Sequence, residues 1–321
     1  MRAVIVATAI ALAAPAFAND STAELGAGGL QLVRNDAIDI LSEDLYVSRH
    51  KVAVTYHFRN HTDAPVTYVV AFPLPVIDAT IPDDMNIQLP DTSSDNFVDF
   101  AVTVDGKPVD VSLDERATAL GVDRTAELKK RGLPLNPIAE GLYDALAKMP
   151  DAEKDELNRL GLILIDPYNT FAAWKYEATF YWQQTFPPGQ EVVIEHTYQP
   201  VVGYGFFGDW VLKDPGYADT YCIDSDFAKA ARAKLAKIAN TDNPYLTEQR
   251  IDYVLTTAQN WASTIGRFHL TVDKGSPDAI ASFCGDGVTK TGPTTFEMTA
   301  TDYVPEKDLH ILIAIPYDGQ P

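Results

Sequence analysis

Alternation with a period of two runs through this sequence and commits most of it to sheet. Val52, Val54, Tyr56 and Phe58 fall on one side of an extended chain, with Ala53, Thr55 and His57 on the other. Turn-forming residues from Asn60 to Pro65 separate this run from Val66 to Phe72, which predicts an antiparallel hairpin. Phe72-Pro73-Leu74-Pro75 ends it, because proline cannot donate to a strand ladder. A second pair has the same outline. Tyr176, Ala178, Phe180 and Trp182 alternate, Pro187-Pro188-Gly189 turns the chain, and Val192, Ile194, His196 and Tyr198 return. A duplicated β-sandwich unit would explain the likeness, and so would chance, since alternating strands look alike. Val98, Phe100, Val102 and Val104 alternate ahead of Asp105-Gly106, a pair suited to the positive φ angles of a tight hairpin.

The texture changes from Asp114 to Leu164, which is rich in Ala, Leu, Glu and Lys. Leu142 and Leu146 stand four apart, and Asn136-Pro137 and Pro150-Asp151 are helix-start signals. Two or three short amphipathic helices inserted between sheet segments are expected there. Ser225 to Ala239 predicts one further helix, capped by Asp224 or Ser225. Strands are expected again at Ile251 to Thr256, Phe268 to Val272, Phe296 to Ala300 and Leu309 to Ile315. The fold class is therefore mainly β: antiparallel β-sandwich units with a helical insert and one further helix. The expected division is an N-terminal β-sandwich region over 19–113, the helical insert over 114–165 and a C-terminal β-rich region over 166–321.

Residues 1–18 predict a signal peptide. Met1-Arg2 precedes an uncharged run from Ala3 to Ala14, then Pro15 and the small-x-small triplet Ala16-Phe17-Ala18. Cleavage is expected between Ala18 and Asn19, giving a periplasmic or secreted protein. The run is shorter than the roughly 20 apolar residues that cross a bilayer, and no later stretch is long enough. The 45 acidic residues against 25 basic ones give a formal net charge of −20, and no Lys/Arg cluster interrupts it. Nucleic acid and anionic membrane are poor partners for such a surface, which serves to keep an exported protein soluble. Cys222 and Cys284 are the only cysteines. In an oxidising compartment an even pair predicts a disulfide over two buried thiols, and two cysteines are too few for a structural zinc site.

Motifs for chemistry are sparse. Gly203, Gly205 and Gly208 match G-x-G-x-x-G, but Asp209-Trp210-Val211-Leu212-Lys213-Asp214-Pro215-Gly216 follows where a dinucleotide fold needs a helix, so no cofactor is expected. There is no G-x-S-x-G and no H-E-x-x-H. His57 and His61 lie across a strand end, and Glu195 should point away from its neighbour His196. Asp224 and Asp226 lack the rest of a calcium loop, so no metal ligand and no catalytic residue is predicted. The most unusual segment, Gly203 to Tyr221, interleaves aromatic rings with glycines and acids. Read as a recognition loop, it offers Tyr204, Phe206, Phe207, Asp209, Trp210 and Tyr217 for stacking and hydrogen bonding. Read as packing, it tucks those rings into the sandwich end near Cys222.

Several stretches together resemble a known family: Asn19 to Leu30, Ser42-Glu43-Asp44-Leu45-Tyr46-Val47, Tyr56-His57-Phe58-Arg59-Asn60, Phe72-Pro73-Leu74-Pro75, Tyr221-Cys222-Ile223-Asp224, and Trp261 ahead of Ile265-Gly266-Arg267-Phe268. The chain is similar across its mature length to exported bacterial proteins of domain of unknown function family 4424. The resemblance implies a bacterial envelope location, in which the Asn60-His61-Thr62 sequon is coincidental. It implies no activity, substrate or catalytic residue. The expected function is non-catalytic binding or envelope association, in contact with a glycan or protein of the cell envelope. Two other classes stay open: a hydrolase whose carboxylates converge from separate strands, and a structural or assembly protein.

Overall fold

The computed structural model describes residues 20–26, 29–81 and 86–316, so the expected signal peptide and its cleavage point lie outside the described residues. The N-terminal strands are β1 Ser21–Gly26, β2 Gly29–Val33, β3 Ile38–Ser48, β4 Val52–Asn60, β5 Val66–Pro73, β6 Ile77–Asp78, β7 Ile87–Gln88, β8 Ala101–Val104, β9 Lys107–Val109, β10 Ser112–Ala119 and β11 Val122–Asp123. The insert carries α1 Thr125–Lys130, α2 Leu142–Lys148 and α3 Asp151–Arg159, then β12 Ile163–Ile165 and β13 Thr170–Ala172. After these come β14 Lys175–Phe186, β15 Glu191–Tyr198, β16 Val202–Phe207, α4 Pro215–Tyr221, α5 Ser225–Ile238 and β17 Leu246–Tyr253. The chain closes with β18 Ile265–Asp273, β19 Ile280–Phe283, β20 Thr289–Lys290, β21 Thr295–Tyr303 and β22 Leu309–Pro316. Among the described residues no helix is long and apolar enough to cross a membrane.

Three large sheets result: β11-β10-β14-β5-β1-β2 with β6 also paired to β14, β20-β21-β18-β3-β4-β15-β8-β9, and β19-β22-β17-β16-β7. Their pairings are antiparallel except for β3 beside β18, which is parallel. The two expected hairpins are not hairpins. β4 lies in the eight-stranded sheet and β5 in the seven-stranded one, and β14 and β15 are divided in the same way. Each pair is an arch between the sheets. The arches stack, with β4 on β15 and β5 on β14. Alternation marks a strand whichever sheet it joins, and here each arch places its apolar face inward from both sides. Phe58 of β4 meets Phe186 of β14 edge-on at 6.0 Å, and Phe72 of β5 meets Tyr198 of β15 at 5.5 Å.

Asn60 locks the two bends together. It is fully buried, its side-chain amide donates to the carbonyls of Ala64 and Phe186 at 2.9 Å each, and its backbone carbonyl accepts from the Gly189 amide. Both amide protons are committed inside the fold, so the folded chain does not present this sequon's amide nitrogen. The Asp105-Gly106 hairpin forms as expected, with φ of 49° and 72°. Gly266 has a different reason for being glycine. β3 shifts register between Ile40 and Ser42, and a Cβ at Gly266 would stand 2.7 Å from the Leu41 carbonyl oxygen.

The stretch from Asp114 that looked helical begins instead with β10, which pairs with β14 from Ser112↔Tyr181 to Thr118↔Lys175. Sheet neighbours override local preference here, burying Ala117 and Ala119. The helices start at Thr125 and sink Leu128, Leu142, Leu146 and Leu157 into the core. The α5 helix starts as predicted, its cap Asp224 accepting from the Phe227 amide at 2.7 Å.

One polar pair sits in the centre of this core. His196 Nε2 lies 3.4 Å from Asp20 Oδ2, both side chains fully buried, and the rings of Tyr56, Phe72, Phe100 and Trp182 surround the imidazole at 5.2 to 5.7 Å. Burial pushes His196 down to about 3 and pushes the Asp20 carboxyl up, with the Glu43 charge adding to the latter. Both directions favour a neutral pair. An unfolded His196 titrates near pH ~6.5. Between there and about 3 the unfolded chain binds a proton that the folded chain does not, and stability falls as pH falls. Asp20 acts oppositely, losing stability as pH rises above the ordinary carboxylate value. His196→Phe keeps a ring in place and removes the first slope. Between about pH 7.5 and about pH 4.5 the variant should gain about 2–3 kcal/mol relative to the native chain, read from urea midpoints. Parallel pH curves would contradict the assignment.

Candidate functional site

The segment from Gly203 to Tyr221 is not a loop. It runs through β16, a short 3-10 turn at Val211–Lys213 and α4, whose cap Asp214 accepts from the Gly216 amide. β16 pairs with β17 in a register that sets Gly203 opposite Arg250 and Gly205 opposite Glu248. A Cβ at Gly205 would come within 2.5 Å of Glu248 Oε1, and one at Gly203 within 3.1 Å of Arg250 Nε. The glycine spacing thus leaves room for two long side chains crossing a sheet face, with no phosphate involved. Gly208 leaves room for the indole of Trp210, whose ring carbons occupy the space a side chain there would need.

The six predicted binding residues divide between two sides. Phe207 is fully buried edge-on to Phe227, and Tyr217 is half-buried, donating from its hydroxyl to Glu248 Oε1 at 3.0 Å. Tyr204 is half-buried on the opposite sheet face, against the main core. Phe206 and Trp210 remain at the surface, 60% and 59% exposed, with Tyr245 edge-on to Phe206 at 4.4 Å. Asp209 lies beside them. Lys213 Nζ at 2.6 Å and Arg232 Nε at 3.1 Å hold its carboxylate in place and draw its pKa below the ordinary value.

Beneath α4 lies a polar row that the sequence reading missed. Glu248, Arg250 and Asp252 alternate along β17 and so share one face, a period-two signal that was open to inspection. Burial pushes the Glu248 carboxyl up despite Arg250 Nε at 3.6 Å. Asp252 Oδ1 sits 2.6 Å from His310 Nδ1, and this contact raises the imidazole pKa. His310 borders a shallow cleft of about 750 Å³ with Thr256, Gln259 and Asp308. Glu195 and His196 do part as expected, Glu195 accepting from Thr103 on the surface while His196 is buried. Among the described residues no group of three or more His, Cys, Asp or Glu is arranged to hold a metal ion.

Cys222 and Cys284 are bonded, joining the end of α4 to the end of β19. Such a bond fits an oxidising compartment. No curated protein matches the chain. A solved structure of a candidate nutrient binding protein from Legionella pneumophila is similar at 16% identity with a TM-score of 0.45, over 93% of this chain and 70% of that one. Nothing about function is carried over at that level of likeness. The family model described as Domain of unknown function (DUF4424) matches residues 18–312.

Proposed function

The chain belongs to the DUF4424 family, and we propose that it is an exported, non-catalytic binding protein that presents Trp210 and Phe206 to a glycan or protein of the cell envelope. The observation supporting this reading is the state of Trp210. The other three tryptophans, Trp174, Trp182 and Trp261, are at most 4% exposed, whereas the Trp210 indole packs beside Gly208 and is 59% exposed. A large ring held open to solvent forgoes burial that would stabilise the fold by about 2 kcal/mol. The same ring stacks on a sugar face or a peptide side chain with little further loss of freedom. The clamped Asp209–Arg232 pair supplies a fixed acceptor and donor beside it.

Trp210 should dominate the acrylamide-accessible fluorescence, and Trp210→Phe should remove most of it while leaving the thermal midpoint within about 2 °C. Titration with soluble envelope glycans and secreted proteins should shift native emission and leave that of the variant unmoved. A full panel without any shift would sink this reading.

A further inference from the structure

A second cleft lies away from Trp210. It is a groove of about 1250 Å³ in which α5, β19 and the disulfide face β18, β20 and β21. Two ring pairs stand among its aliphatic lining: Phe268 stacks on Tyr303 with ring centres 4.7 Å apart, and Phe283 meets Phe296 edge-on at 6.3 Å. Lys234, Lys274, Lys290 and Lys307 reach it from separate parts of the chain. Lys274 is only 4% exposed, its ammonium held by the carbonyls of Ser276 and Pro277 at 2.5 and 3.1 Å. Lys234 and Lys290 stand close enough for their charges to add to the burial that disfavours protonated Lys274, although Asp273 and Asp278 act against them. Three cations therefore converge in a chain that carries 45 acids against 25 bases.

Two of the acids lining the groove are already occupied. Asp224 caps α5, and one Asp308 oxygen accepts from the amides of Leu255 and Thr256 and from the Thr256 hydroxyl. Asp226, Asp286 and Glu306 remain to face the four lysines. Cationic groups above an apolar, ring-lined floor complement a molecule of the opposite design, with an acidic head and a flat or aliphatic body.

We propose that this groove binds a small amphipathic organic anion, its acidic group on Lys234, Lys274 and Lys290 and its apolar body against Phe283, Phe296 and Tyr303. The site is independent of the Trp210 surface, and either can fail without the other. The aromatic sulfonate 8-anilinonaphthalene-1-sulfonate is a suitable probe, with the uncharged N-phenyl-1-naphthylamine as its control. The native protein should bind the sulfonate at one site with enhanced emission. Lys234→Gln combined with Lys290→Gln should weaken that binding by roughly tenfold, the loss of charge-assisted contacts, and leave the uncharged probe unaffected. Lys290→Gln alone, on the exposed strand β20, should show part of the loss with the thermal midpoint little changed. Equal sulfonate affinity in natively folded variants, equal affinity for the two probes, or no binding by the native protein would each overturn the proposal.

Discussion

Trp261→Ala should destabilise the protein by about 5 kcal/mol, a larger effect than that expected from opening the disulfide. Trp261 is 1% exposed and packs on Phe58 at 4.4 Å and Phe186 at 6.2 Å, the inward rings of the two arches. Truncating a buried tryptophan costs roughly 3–5 kcal/mol in transfer and cavity terms. Its indole N–H also donates to the Asp20 carbonyl at 2.6 Å, and that buried acceptor would lose its donor at a cost of about 1–3 kcal/mol. The neighbouring Asn260 amide donates to Ser21 Oγ at 2.8 Å, so the start of β1 is pinned twice from this one turn. Urea midpoints at constant m-value would measure the effect. A change below about 2 kcal/mol would show that the arches close without this ring.

Opening the disulfide should cost about 4 kcal/mol on the loop-closure model, since the bond spans 62 residues. The loss should be local. Cys222 ends α4 in the left-handed region with φ of 50°, and Ser282 beside it donates to the Tyr221 carbonyl at 2.9 Å. With Cys222→Ala and Cys284→Ala, amide exchange should quicken through β16, α4 and β19 while β4 and β15 keep their protection. Equal loss in both regions would refute a local role. The five-stranded sheet would then have to be read as part of one cooperative unit with the sandwich.

The strands were legible because side-chain alternation is a local property, and Tyr56, Phe58, Phe180 and Trp182 do face inward as their spacing requires. Their sheets were not. Whether the chain turns back beside itself or crosses to the facing sheet depends on the bend around Asn60, whose partner Phe186 is 126 residues away. The glycines at 203, 205 and 208 were legible as a pattern, but their cause lies in Arg250, Glu248 and Trp210, which need that space. The Trp210 surface could be suspected from an excess of rings, although burial of Phe207 and Tyr217 could not be separated from exposure of Phe206 within one stretch. Nothing in the sequence marked the groove, because Lys234, Lys274 and Lys290 meet only after α5, β18 and β20 have packed.

The arch topology also governs when this protein can fold. His57 meets Glu191 across 134 residues, Asp44 meets His269 across 225, and Trp261 reaches Asp20 across 241. An emerging chain that has progressed only through β9 holds β3, β4 and β5 but none of β14, β15 or β18 to receive them. Within that stretch β1 can pair with β2 and β5, β3 with β4, and β8 with β9, but the strands that join these pieces into two facing sheets, β14 and β15, come only after the helices have been made. Assembly then waits on closures among the longest the chain allows, which places it with slow, late-folding β proteins. A polypeptide of this design holds only unjoined pieces of sheet, with their apolar faces uncovered, until β14 and β15 have been made.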